Sequence, residues 1–148
     1  MHTRRLMLLL AALSIFVLVL AGCAGAPAPA TGDAAALDPE GAFGINGFDR
    51  IFISYAVSMI PPWREALEAG MNAVRPGGSL HVVDFGGQND LPVWFKAVLR
   101  AWLAKFHVAP RDDLESAMAE LAQAHGGELA FRSLYRDYAG IGAVRTAA

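Results

Sequence analysis

Hydrophobic positions are arranged in three distinct ways along this chain. Residues 6–21 are apolar throughout except for Ser14. Residues 24–44 are mostly Ala, Pro, Gly and Thr, without periodicity, which predicts a flexible tether. From Phe48 onward, short apolar runs alternate with helical stripes. Residues 48–55, rich in Ile and aromatics, predict a buried strand. Pro61 and Pro62 open a helix over 63–74, with Ala66, Leu67, Gly70, Met71 and Val74 on one face. Arg75-Pro76-Gly77-Gly78 stops it, and 79–85 forms a second strand closed by Gly86-Gly87. Further helices are expected over 91–108 and 112–125. Two strands, 128–135 and 138–145, then pair as a hairpin around Arg136-Asp137. This order predicts an α/β fold: a partial doubly wound, Rossmann-like mixed sheet of about four strands with a terminal antiparallel hairpin.

Composition narrows the classes. The chain has 148 residues, 55% hydrophobic and 18% charged, which excludes general disorder. Its net charge is −2 and no long basic run occurs, so a nucleic-acid partner is not expected. One cysteine excludes an intrachain disulfide framework. No His and carboxylate set has metal spacing, so no metal is expected.

The N-terminus has the tripartite form of an export signal: Arg4 and Arg5, an apolar stretch short for a membrane span, then small residues. Leu20-Ala21-Gly22-Cys23 resembles a bacterial lipobox. That resemblance implies lipidation of Cys23 and a mature chain anchored to a membrane by lipid. Ala24 in the next position implies the outer membrane, facing the periplasm. An uncleaved anchor helix with a chance cysteine is the alternative. Three segments follow: a signal peptide over 1–22, a tether over 23–45 and a folded part over 46–148. Without the signal, ten basic and fourteen acidic residues remain, a net charge of −4.

The folded part suggests a family. Phe48-Asp49-Arg50-Ile51, Ile60-Pro61 after that strand, Arg75-Pro76-Gly77-Gly78-Ser79-Leu80 and Val82-Val83-Asp84-Phe85 occur in order. Together they resemble the C-terminal half of a class I S-adenosylmethionine-dependent methyltransferase. The segments over 54–63, 91–95 and 106–108 look similar to methyltransferases of the betaine-lipid type, which methylate the amine of a lipid headgroup. The resemblance implies S-adenosylmethionine as cofactor and a lipid or small amine as substrate. It also implies a family that works in the cytoplasm, where the cofactor is made. The Gly-rich turn, ribose-binding acid and adenine-binding residues that the family carries in its first half have no counterpart in this sequence. Gly41-Ala42-Phe43-Gly44 has no strand before it and reads as spacer. Without a strand beside it, 51–55 would form an open edge, which predicts a marginal or aggregation-prone domain, or one completed by another chain.

Candidate site residues cluster where strands end, since open α/β sheets bind ligands beyond their carboxyl ends. By resemblance Ser54 and Tyr55 face the cofactor and Ser58 and Asp84 the substrate. Tyr55 could orient an amine by its ring or hydroxyl, or simply pack under the following helix. Asp84 could hold a cation or accept a proton, or could bond a turn. No catalytic residue is assigned. His81 and His107 read as structural. The helix over 91–108 carries Trp94, Phe95, Trp102 and Phe106 with Lys96, Arg100 and Lys105. It is either a membrane-surface helix whose cations meet headgroups or an ordinary helix with its cations in water.

Three functions follow from these features: an amine methyltransferase, not competent alone for want of its cofactor half; a non-catalytic, membrane-tethered lipoprotein remnant; or the product of a mis-joined, truncated gene.

Overall fold

A computed structural model describes residues 32–147. The signal segment, Cys23 and the first part of the tether lie outside the described residues. The rest of the tether is more ordered than its composition predicts. Ala34–Ala36 forms a 3-10 turn and α1 spans Pro39–Phe43. Each begins on an aspartate: Asp33 accepts from the Ala35 N–H at 2.9 Å, and Asp38 from the Glu40 N–H at 3.1 Å. Two capping carboxylates in an alanine-rich segment favour helical turns where apolar periodicity is absent. Gly44, at φ 66°, closes α1 in the left-handed conformation.

The main elements follow in the expected order: β1 (Phe48–Ser54), α2 (Trp63–Asn72), β2 (Val74–Phe85), α3 (Val93–Ala104), α4 (Leu114–Ala124), β3 (Glu128–Leu134) and β4 (Ala139–Arg145). They build one mixed sheet of four strands in the order β1-β2-β4-β3. β1 and β2 are parallel, and the other two pairings are antiparallel.

β2 begins at Val74, earlier than the proline and glycines suggest. Register shifts between Phe48↔Val74 and Arg50↔Ser79, so the Arg75-Pro76-Gly77-Gly78 stretch bulges out of the ladder without ending it. Gly78 makes this approach possible. A Cβ there would lie 2.7 Å from the Asp49 carbonyl oxygen and 2.9 Å from that of Arg75.

Strand alternation divides the sheet into two unlike faces. Ile51, Ile53, Leu80, Val82, Asp84 and Val144 share one, with α2 and α4 packed on it. α2 buries Trp63, Ala66, Leu67, Gly70 and Met71, and α4 buries Leu114, Ala117, Met118, Leu121 and Ala122. Met118 seats over the bare backbone of Gly142, where a Cβ would meet its sulfur at 2.6 Å. The opposite face carries Phe52, His81, Val83, Phe85, Ile141 and Ala143. Among the described residues no helix layer covers it: Phe52 is 69% exposed and Ile141 39%. Phe52 and His81 stack there at 4.7 Å, and His81 shares a 2.8 Å hydrogen bond with Ser79. β1 is an edge strand, with β2 its only partner among the described residues.

α3 is oriented the wrong way round for an ordinary covering helix. Only Leu103 is buried. Lys96 and Arg100, read from the sequence as cations for water or headgroups, turn inward instead. Lys96 donates to Asn89 at 3.0 Å, and Arg100 donates to Gln88, to the Gly87 carbonyl and to Asp112. Hydrogen-bond acceptors on the inner side, invisible in the helix's own sequence, set this orientation.

Candidate functional site

The carboxyl ends of β1 and β2 lie side by side, because Ser54 pairs with Val83 in a parallel ladder. The chain leaves β1 through Tyr55, which takes a left-handed conformation at φ 49° while its N–H donates to the Val83 carbonyl at 2.8 Å. A non-glycine residue held there marks a turn under tertiary constraint. The Tyr55 ring does not go under α2. It stays 44% exposed and meets Phe85 edge-on at 5.2 Å, and Phe85 meets Tyr138 edge-on at 5.7 Å. Edge-to-face contacts of this kind favour a fixed aromatic surface. Ser54 is exposed on the same sheet face as Val83.

Ser58 and Asp84 come together, but beneath the surface. Asp84 is fully buried, and its carboxylate accepts from the Ser58 N–H at 2.9 Å and from the Phe85 N–H at 2.7 Å. Bonds from neutral N–H groups to a carboxylate are among the stronger ones a loop can make. Asp84 therefore ties the loop after β1 to the end of β2, and in this state it meets no solvent. Ser58, 1% exposed, also lends its carbonyl to the Ala109 N–H at 2.8 Å. Its hydroxyl, however, has no hydrogen-bond partner.

A second polar layer lies alongside, formed by residues that carry no site motif in the sequence. Gln88 is fully buried at φ 58°, its Nε2 unpartnered and its Oε1 accepting from the Arg100 Nε at 3.2 Å. Arg100 also donates to the Gly87 carbonyl at 3.1 Å and forks onto Asp112 with both terminal nitrogens. The hydrogen bonds and charge of Arg100, with a smaller effect from Lys96, hold the Asp112 carboxyl below its ordinary value; partial burial opposes them. Arg111 donates to the carbonyls of Val57 and Ile60 at 3.3 and 3.0 Å, bracing the loop that carries Ser58. From the other side, Asp137 accepts from both nitrogens of Asn89, and its carbonyl accepts from the Gln88 N–H at 2.7 Å. The run of Gly86-Gly87 was the one sequence signal for this close packing: a Cβ at Gly86 would lie 2.5 Å from the Asp137 carbonyl oxygen.

The arrangement offers a half-open aromatic and hydroxyl surface, Ser54 with Tyr55, above a buried polar layer. No cluster of three metal-ligating side chains occurs among the described residues. A ligand the size of S-adenosylmethionine has most of its surface enclosed in a binding site. The described residues supply one wall, and by themselves they do not fit the whole cofactor.

No protein-family model matches the sequence, and no curated protein matches it. Solved structures do resemble it in shape. An O-methyltransferase family protein from Burkholderia thailandensis superposes with a TM-score of 0.60 at 14% identity, over 80% of this chain and 35% of that one. A possible exported protein from Bordetella parapertussis gives 0.55 at 14%, over 79% and 43%. A SAM-dependent methyltransferase from Methanosarcina mazei gives 0.52 at 15%, over 78% and 65%. The chain thus spans between about a third and two thirds of the length of these proteins. It has the Rossmann-like fold found in S-adenosylmethionine-dependent methyltransferases.

Proposed function

We propose that this chain contributes one wall of a methyltransferase site that uses S-adenosylmethionine and acts on an amine, with a lipid headgroup as the acceptor. The observation that carries this reading is the β1-β2-β4-β3 sheet, parallel then antiparallel, whose shape recurs in methyltransferases. Ser54 and Tyr55 stand at its carboxyl end, where ligands of such sheets bind. The exposed Tyr55 ring suits a cationic amine or sulfonium, which aromatic faces attract. The chemistry of such a site would rest on positioning a methyl donor and an amine and on keeping water out. Asp84 and Ser58 keep the two loops of that wall in register.

The chain is not competent alone on this reading. The outer edge of β1 and the apolar face of Phe52 and Ile141 call for a companion polypeptide that completes the sheet and supplies the second wall. The alternative is a lipoprotein with no catalytic role. Under that alternative, Cys23 carries the lipid and the chain is held at the outer membrane, facing the periplasm, away from the cytoplasm where the cofactor is made.

Calorimetric titration of the full chain with S-adenosylmethionine tests the proposal. Little or no heat is expected from the chain alone. Clear micromolar binding would overturn the need for a companion. Binding that stays absent with every candidate companion co-expressed would favour the non-catalytic alternative. An unmodified Cys23 in the mature protein, seen by mass spectrometry, would remove the lipid anchor.

A further inference from the structure

The outward side of α3 is apolar. Trp94, Val98 and Trp102 recur every fourth residue, and Phe106 continues the series just beyond the helix. All four are more than half exposed, with Trp94 at 70%. Neighbouring rings brace this stripe: Trp94 meets Phe95 edge-on at 5.7 Å, and Trp102 lies 4.9 Å from Phe106. The polar positions that would normally meet solvent are committed inward through Lys96 and Arg100. Rolling the helix to hide its aromatics would break those bonds, so the outward stripe is a fixed property of the fold.

We infer that α3 seats this stripe in the interfacial layer of an anionic lipid bilayer. Three observations select that occupant. Tryptophan, with an apolar body and a polar N–H, favours the membrane–water boundary. Residues 91–111 contain no acidic residue, and exposed Lys105 lies beside the stripe, whereas Lys96, Arg100 and Arg111 are held by Asn89, Asp112 and backbone carbonyls. A lysine beside an apolar stripe with no acid in it complements anionic headgroups. Finally, a helix of twelve residues is roughly 18 Å long, and one side of it presents only a few hundred Å². A stable protein–protein contact needs about 800 Å² from each partner. A bilayer has no such threshold, because every inserted ring adds its own transfer free energy.

This inference deepens the proposed lipid acceptor and rests on it for its purpose, though not for its test. Under the proposed lipidation of Cys23, the eight residues 24–31 reach at most roughly 30 Å. The folded part would then stay close enough to the surface for a modest affinity to suffice.

The test uses the full chain added from mild detergent to phosphatidylglycerol–phosphatidylcholine vesicles whose acyl chains carry bromine, a contact quencher of indole fluorescence. The N-terminal segment has no tryptophan, so anchoring through it leaves the signal unchanged. Trp63, buried at 8% exposure, supplies a constant background. Quenching of Trp94 and Trp102 with a blue shift is expected. Val98→Asp keeps both reporters and should raise the lipid needed by about tenfold, whereas Val98→Leu should not. An unquenched wild type that still sediments with vesicles would overturn the inference, as would equal quenching in Val98→Asp. So would a lipid-free dimer that Val98→Asp dissolves, because it would make the stripe a protein contact. Cofactor titration on the same samples reports separately on the methyltransferase reading, so the two failures are distinguishable.

Discussion

Asp84 shows how much can depend on one side chain at the end of a strand. Its two bonds satisfy the buried N–H of Ser58 and the half-buried N–H of Phe85, and both lose their acceptor in Asp84→Ala. A loss of about 1–3 kcal/mol in urea unfolding is expected, with a smaller loss for Asp84→Asn, which retains one oxygen. The position of Asp84 was partly legible. Counting by two from Leu80 and Val82 puts it on the helix-covered face. The outward placement of Tyr55 was not, because it depends on the left-handed turn that ends β1. The β3–β4 turn offers a contrasting test. Tyr135, Arg136 and Asp137 are all left-handed, at φ 53°, 60° and 62°. Asp137 is held by bonds to Asn89 and Ser133, but Arg136 is exposed and brings only cost. Arg136→Gly should therefore raise stability by about 1 kcal/mol, read as a higher denaturant midpoint at unchanged slope.

At the scale of elements, α3 is the exception. The α2 and α4 stripes point at the sheet as their sequences predict, because tertiary burial and helical period agree. In α3 they conflict, and hydrogen bonding to Gln88, Gly87 and Asp112 decides the outcome. Nothing in the helix sequence reveals acceptors located before and after it. Arg100→Gln should free the helix: amides of α3 should exchange much faster with solvent while those of α2 and α4 keep their protection. The Arg100–Asp112 pair also carries a pH dependence. Asp112 is depressed below its ordinary value of 3.8, so the pair's contribution is complete above that value and fades as pH falls through the lower, folded one. With the Asp112 side chain 57% exposed, the effect is at most about 1 kcal/mol. Near-ultraviolet dichroism of Trp94 and Trp102 should accordingly weaken below about pH 4, before the core unfolds.

For the whole molecule, the fold class and element order were legible, since each strand and helix carries its own period and Gly or Pro marks the joins. Two things were not. The bulge that extends β2 back to Val74 hides in residues that look like a stop. The polar layer of Gln88, Arg100 and Arg111 arises only when distant loops converge. Among the described residues β1 is an open edge, and it makes a prediction at this scale. Phe52→Lys, at an exposed position on β1, should reduce self-association in light scattering with little change in the unfolding midpoint.

The strand order has a consequence in time. β2, at the centre, pairs on one side with β1 and on the other with β4, the last strand of the chain. Ser79 must find Arg145, and only the β3–β4 hairpin is local in sequence. Closing so long a loop is slow, and the parallel β1–β2 pair gains little until the helix-covered face is packed. As the chain is synthesised, its core cannot close before β4 has emerged. Until then the nascent chain carries its strands and helices without a packed core between them.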